Sequence, residues 1–102
     1  VNNGTSGAKE WAAGTLWGLS VNDDNKVKIA KEGGIIALLN LIDNGTSGAR
    51  EKAARALGNL SNNSDNKSVI RKSGFDIITI AYENESNNTT KNELNDLLDR
   101  IK

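Results

Sequence analysis

The sequence predicts an all-α chain built from a repeated helical unit. The segment NGTSGAREKAARALGNLS at residues 44–61 occurs almost complete a second time, as NGTSGAKEWAAGTLWGLS, at residues 3–20. A shift of 41 residues aligns the chain with itself without a gap, and 20 of 41 positions are identical between residues 3–43 and 44–84. A period near 40 is typical of stacked helical repeats, in which each unit buries its apolar face against its neighbours.

The first pass through the repeat predicts a long, a short and a middle helix. Apolar residues recur at spacings of four and three in the long helix, residues 8–20, which Thr5 or Ser6 is predicted to cap. The short helix, 26–32, ends at Gly33-Gly34, because glycine accepts the left-handed backbone of a helix C-terminus. The middle helix is 35–42. Ala12, Leu16 and Leu19 share one apolar face of the long helix. The predicted inward residues of the short and middle helices are Val27, Ile29, Ala30, Ile35, Leu38, Leu39 and Ile42.

The same order recurs 41 residues later and then begins a third time. Long, short and middle helices are predicted at 49–61, 66–73 and 75–83, with a break at Gly74, and a last long helix at 90–102 has the polar outer face of a terminal repeat. We expect one domain, 1–102, with a truncated repeat's long helix (8–20), a full repeat (25–61) and a cap-like C-terminal repeat (66–102). The predicted inward residues are Ala49, Ala53, Leu57, Leu60, Val69, Ile70, Ile77, Ile78, Ala81, Tyr82, Leu94, Leu97, Leu98 and Ile101.

Composition argues against most enzyme and metal classes. The chain has no Cys and no His, so thiolate or imidazole ligands and histidine acid–base catalysis are excluded. Its 13 basic residues balance 13 acidic ones, without the basic footprint of a general nucleic-acid binder. No apolar run approaches the roughly 20 residues of a membrane span. We therefore expect no enzyme, no cofactor, no specific nucleic acid and no membrane span, in a cytoplasmic or nuclear rather than secreted protein.

Several short motifs give the repeat unit a family resemblance. They are Asn25-Lys26 opening the short helix, Gly33-Gly34-Ile35 at its end, Leu38-Leu39 in the middle helix, and Ala53-Ala54 to Leu60-Ser61 in the long helix. With AAGTLWGLS at residues 12–20, this pattern resembles the armadillo repeats of β-catenin-like and plant or protist proteins. The resemblance implies a right-handed α-solenoid. HEAT repeats fit less well, because they lack the short first helix and the glycine break.

The resemblance also implies a function, since armadillo long helices line a concave groove that binds extended peptides or partner proteins. Lys52, Arg55 and Asn59 share one helix face at spacings of three and four. Families that bind nuclear-localisation peptides carry Trp at the middle of these positions and Asn at the last, and only Asn59 matches. The import-receptor mechanism is therefore not expected. The candidate binding residues are Trp11, Lys52, Arg55, Asn59, Asp96 and Arg100.

Each candidate residue has a structural alternative. Asn59 could clamp a peptide backbone with its amide, or be solvated or bonded to a neighbouring helix. Arg55 could bind a carboxylate or phosphate, or pair with Glu51 four residues earlier. Trp11 and Trp17 could form a recognition platform, or cover apolar surface left by missing helices.

Two hypotheses of function follow, with a third that no residue separates from them. The first is a protein–protein interaction scaffold. The second is a minimal or designed repeat fragment with a structural role only, and the third is a nuclear-transport or chaperone-cofactor adaptor. The exposed apolar face expected on residues 8–20 also predicts end-to-end self-association through the N-terminal helix, or marginal stability.

Overall fold

The computed structural model describes residues 6–102, the backbone alone at Ser6, and all regular secondary structure in this range is α-helical. Its helices are α1 (Ser6–Leu19), α2 (Asp23–Lys31), α3 (Gly34–Asn44), α4 (Ser47–Leu60), α5 (Ser64–Asn84) and α6 (Asn88–Arg100). The predicted all-α fold is confirmed and is consistent with an armadillo-type α-solenoid. The predicted cap at Thr5 or Ser6 lies outside the side chains that are described. No helix within residues 6–102 is long and apolar enough to cross a membrane.

The helices form two layers. The long helices α1, α4 and α6 lie side by side, with α4 in contact with both of the others. The shorter α3 packs against α4 of its own unit and against α5 of the next. Consecutive units therefore stack through their long helices on one layer and through α3 and α5 on the other.

Side-chain caps fix where four of the helices begin. Asn22, Thr46, Asn63 and Asn87 have extended backbone and accept a hydrogen bond from the backbone N–H three residues ahead. These bonds satisfy N–H groups that have no partner inside the first turn of a helix. Each such cap contributes about 1 kcal/mol.

The core follows the predicted apolar spacing in the middle of the array. Ala49, Ala53, Leu57 and Leu60 of α4 are fully buried, and all four predicted residues of α3 are buried with them. Ala12 and Leu19 are exposed, as expected for the apolar face of residues 8–20, while α1 packs on α4 through Ala13 on another side. The prediction is wrong for Val27 and Val69, which are exposed. Val27 and Val69 lie beside, not within, the buried stripes of α2 and α5.

The glycine break is present in the first unit and absent from the second. Gly33 has a left-handed backbone (φ 85°) and separates α2 from α3. The bend also needs Gly34, because a Cβ there would collide with the side chain of Ile29 and lie 2.7 Å from its carbonyl oxygen. Phe75 occupies the equivalent position after Gly74, so the chain cannot bend in this way. The predicted break at Gly74 is therefore wrong, and α5 replaces the separate short and middle helices of a three-helix repeat.

A buried carboxylate anchors the connection between α5 and α6. The Glu85 side chain is 2% exposed, and its Oε1 accepts from Arg50 Nη1 at 3.2 Å. Its Oε2 accepts from Ser47 Oγ at 2.7 Å and from the backbone N–H of Asn87 at 3.0 Å. Burial raises the pKa of this carboxyl, but the hydrogen bonds from Asn87, Ser47 and Arg50, with the Arg50 charge, outweigh it and leave the pKa below its usual value.

Candidate functional site

The six candidate residues all lie on the three long helices. Trp11 is on α1, Lys52, Arg55 and Asn59 are on α4, and Asp96 and Arg100 are on α6. Because α4 lies between α1 and α6, the structure brings these side chains to one surface, which we call the long-helix face.

Lys52 joins α4 to α1 through an ion pair. Its Nζ lies 2.6 Å from Oε2 of Glu10, and the two side chains are 30% and 47% exposed. The lysine stem lies over Gly14, where a Cβ would be 3.4 Å from Cδ of Lys52, within ordinary van der Waals contact. The Lys52 charge is therefore compensated within the chain, in a partly solvated pair that contributes at most about 1 kcal/mol.

Trp11 stands free beside this pair. It is 77% exposed, and an open depression of about 500 Å³ lies next to it. The depression is lined by Gly7, Glu10, Trp11, Gly14, Thr15 and Lys52. A large aromatic ring left in solvent next to an open space is a type of surface that is enriched at protein-binding sites.

Arg55 holds three helices together. Its Nη2 lies 2.8 Å from Oε2 of Glu51, and its Nε lies 3.3 Å from Oε2 of Glu93 on α6. The guanidinium carbon also lies 4.8 Å from the ring centroid of Trp17 on α1, in cation–π geometry. The expected pair with Glu51 is present, and Trp17 packs against the core and under Arg55 rather than standing free like Trp11.

Asn59 bonds to the neighbouring helix, as one of its alternatives proposed. Its Nδ2 donates to Oγ of Ser20 at 3.0 Å, and that hydroxyl donates to the backbone carbonyl of Trp17 at 2.7 Å. The amide oxygen of Asn59 has no hydrogen-bond partner among residues 6–102. One N–H of the amide is thus used to hold the end of α1, and the amide oxygen is available.

Asp96 and Arg100 pair with each other on α6. Oδ2 of Asp96 lies 2.9 Å from Nε of Arg100, and both side chains are about half exposed. Arg100 reaches over α4, where a Cβ added at Gly58 would lie 3.4 Å from its Cδ. A depression of about 200 Å³ between α4 and α6 is bordered by this pair together with Arg55 and Asn59.

Sequence reasoning missed the partners that lie on other helices. Glu10, Ser20 and Glu93 engage Lys52, Asn59 and Arg55 respectively. A signal existed for Glu10, which is the repeat equivalent of Glu51 at the 41-residue shift. The alignment does not show that Glu10 turns to the next helix while Glu51 pairs within its own.

The electrostatics of the long-helix face are compensated. Glu10, Glu51, Glu93 and Asp96 carry its negative charges, and each of its described cations, Lys52, Arg55 and Arg100, lies within 3.3 Å of one of them. Binding a phosphate or carboxylate through one of these cations would first require an existing ion pair to break. The features of the face left unengaged are the Trp11 ring with its depression and the amide oxygen of Asn59.

Comparison with known proteins identifies one segment. Residues 22–62 match the family model described as Armadillo/beta-catenin-like repeat. The matched range begins at the cap of α2 and ends just after α4, so it contains α2, α3 and α4 as one unit. No curated protein and no solved structure matches the chain.

Proposed function

We propose that this chain, whose residues 22–62 match the armadillo repeat, is a protein-binding scaffold whose long-helix face takes an extended segment of a partner. Armadillo-repeat proteins are generally non-catalytic scaffolds that bind protein partners. The observation that carries the proposal is Trp11, a ring 77% exposed beside an open depression of about 500 Å³.

The Trp11 depression favours an apolar or aromatic side chain of the partner. Such a side chain would cover the exposed ring and pack on the stem of Lys52, while the Glu10–Lys52 pair stays intact at its edge. Burial of one large apolar side chain contributes roughly 1.5–3 kcal/mol. This pocket would therefore act as the anchor of the interface.

Asn59 supplies a polar contact about two helical turns further along the face. Its free amide oxygen can accept one backbone N–H of an extended segment without breaking any bond in the chain. A two-sided clamp would use the second N–H of Nδ2, because the first donates to Ser20. We propose the acceptor contact at Asn59, because its oxygen is wholly unengaged while its nitrogen is held by Ser20.

The charges of the face favour a partner segment of mixed or low charge. Arg55 and Arg100 already lie against carboxylates, so they would act as walls of the site and not as receptors for an anion. This distinguishes the proposal from recognition of a phosphorylated or strongly acidic motif, which depends on available arginines.

The test is a titration of the ¹⁵N-labelled chain with a diverse library of proteome-derived peptides. We expect shift changes to cluster on Trp11, Lys52 and Asn59, with the indole N–H of Trp11 moving. For a peptide that binds, Trp11→Ala should weaken affinity about tenfold or more, as for a buried aromatic anchor. Phe75→Ala is the matched control, because Phe75 is 49% exposed on α5, off this face.

The competing functions predict other outcomes. A flat response across the library would contradict the proposal and favour a repeat with a structural role only. Binding that survives Trp11→Ala but is lost on Asp96→Ala would also contradict it, because the anchor would then lie at α6. A nuclear-transport or chaperone-cofactor adaptor would use the same face, and the sequences of the peptides that bind would separate these roles.

A further inference from the structure

A second surface lies at the N-terminal end of the array, away from the long-helix face. It is formed by the sides of α1, α2 and α3 turned from α4 and α5, and we call it the N-terminal face. Leu19 is 47% exposed there, and open depressions of about 480 and about 810 Å³ border the face. Its central residues are Ala12, Leu16, Leu19, Asn25, Ile29 and Gly33.

The same set of residues occurs a second time inside the molecule, where it is covered, although Gly74 lies within α5 and Gly33 lies at a left-handed bend. At the 41-residue shift, the six residues of the N-terminal face are identical to Ala53, Leu57, Leu60, Asn66, Ile70 and Gly74. All six of these equivalents are buried. The element that lies against α4 and α5 there is α3, whose Leu39 methyl is 2.5 Å from where a Cβ on Gly74 would stand. The chain therefore shows what covers this set of residues.

A hydrogen bond is formed at one of the two equivalent asparagines and missing at the other. Asn66 is 5% exposed, and its Nδ2 donates across the unit boundary to the backbone carbonyl of Lys26 in α2, at 3.2 Å. Its counterpart Asn25 is partly buried, and its side chain has no hydrogen-bond partner among residues 6–102. An amide that bonds the preceding unit in one copy is thus unsatisfied in the other.

We propose that the N-terminal face binds a short-and-middle helix pair of the α2–α3 type, supplied from outside these 102 residues. Its middle helix would cover Leu16 and Leu19 of α1 and place a Leu39-like side chain against Gly33. Its short helix would offer a backbone carbonyl to Asn25. The contact positions of α1 (Ala12, Leu16, Leu19) carry the same residues as those of α4. A helix pair with the surface of residues 22–44, which covers α4, therefore suits α1 as well.

The order of helices in the array favours this occupant over a second copy of the chain. In a continuous stack, the long helix that follows the docked pair is α1 itself, so the occupant brings no long helix of its own. A second copy docking head to tail ends in the long helix α6, which would need the position that α1 already holds. End-to-end self-association, predicted from the sequence, would use this same face and is the competing outcome.

The experiment adds a synthetic peptide of residues 22–44 to the ¹⁵N-labelled 102-residue chain. We expect saturable shift changes at Leu16, Leu19, Asn25 and Ile29. Leu19→Lys in the chain, or Leu39→Lys in the peptide, should weaken binding at least tenfold, and Asn25→Ala should weaken it severalfold. Val69→Lys in the chain is the control, since Val69 is 44% exposed on α5 and should leave affinity within twofold.

Three results would overturn the proposal. Shift changes centred on Ile70, Gly74 and Ile78 would mean that the peptide displaces the chain's own α2–α3. Sedimentation of the chain alone as a concentration-dependent dimer that Leu19→Lys disperses would assign the face to a second copy. Absence of binding at millimolar peptide, with the chain folded by circular dichroism, would leave the face without this partner.

Discussion

Replacing Glu85 with Gln removes one charge from a carboxylate that three donors surround. In the native chain, one oxygen accepts from Ser47 and Asn87 and the other accepts from Arg50. The Gln amide can keep the first two bonds with its oxygen, but its NH₂ group then faces the Arg50 guanidinium, donor against donor. The substitution therefore breaks a buried ion pair while it leaves the shape of the side chain almost unchanged.

The size of the loss in stability depends on how well water can solvate Arg50 after the substitution. Breaking a fully buried pair costs about 3–5 kcal/mol. Arg50 is 26% exposed and keeps its bond from Nε to the carbonyl of Ile42, so it can recover part of this loss through water. We expect Glu85→Gln to lower the free energy of unfolding by about 2–3 kcal/mol. For a domain of this size that corresponds to a fall in Tm of roughly 10–20 °C.

The pH dependence provides a second readout. The folded-state pKa of Glu85 is depressed, so its stabilisation is present above the unfolded pKa of about 4.3 and is lost as the pH falls through the folded value. Thermal unfolding between pH 7 and pH 3 should therefore show the gap between native and Gln chains narrowing as the pH falls. The control is Glu83→Gln, an exposed carboxylate at the same end of α5. A Glu85→Gln chain as stable as this control at pH 7, or a gap that does not narrow with acid, would refute the reasoning.

Two further predictions concern the hinge and the long-helix face. Gly33→Ala should destabilise by about 1–2 kcal/mol because φ is 85° there, whereas Gly18→Ala, with open space around it, should stabilise α1 by up to about 1 kcal/mol. Thermal unfolding measures both, and a rise in Tm for Gly33→Ala would contradict the left-handed hinge. Arg55→Lys should cost about 0.5–1.5 kcal/mol and change Trp17 fluorescence, because lysine cannot contact Glu93 and stack on the ring as well. Arg100→Lys, which touches one exposed carboxylate, should cost less than about 0.5 kcal/mol, and equal losses would contradict the bridging role of Arg55.

The repeat shift predicted much of the fold, because burial in a stacked array follows the same apolar spacing in each unit. Leu57 and Leu60 are buried as expected for that reason. The shift failed at Gly74, since the bend also depends on the residue after the glycine and on its distance from the residue five positions back. A Cβ at Gly34 would lie 2.7 Å from the carbonyl oxygen of Ile29, and Phe75 in the equivalent position carries a Cβ.

The contacts of the candidate site could likewise be predicted only in part. The pair of Arg55 with Glu51 could be predicted, because residues four apart on a helix face each other. The contacts of Arg55 with Glu93 and Trp17 depend on how α6 and α1 rotate against α4, which spacing along one helix does not specify. The residues of the long-helix face could therefore be predicted from the sequence, but the ion pairs that join its helices could not.

The unbroken α5 gives the two units different mechanical properties. At 21 residues and about 1.5 Å per residue it is one uninterrupted helix of roughly 31 Å, and Glu85 at its end bonds to α4. In the first unit the equivalent residues form two helices, α2 and α3, which meet at Gly33, where the left-handed backbone interrupts the helical hydrogen bonds. We therefore expect a bending or twisting load on the array to change the backbone angles at Gly33 before it distorts α5.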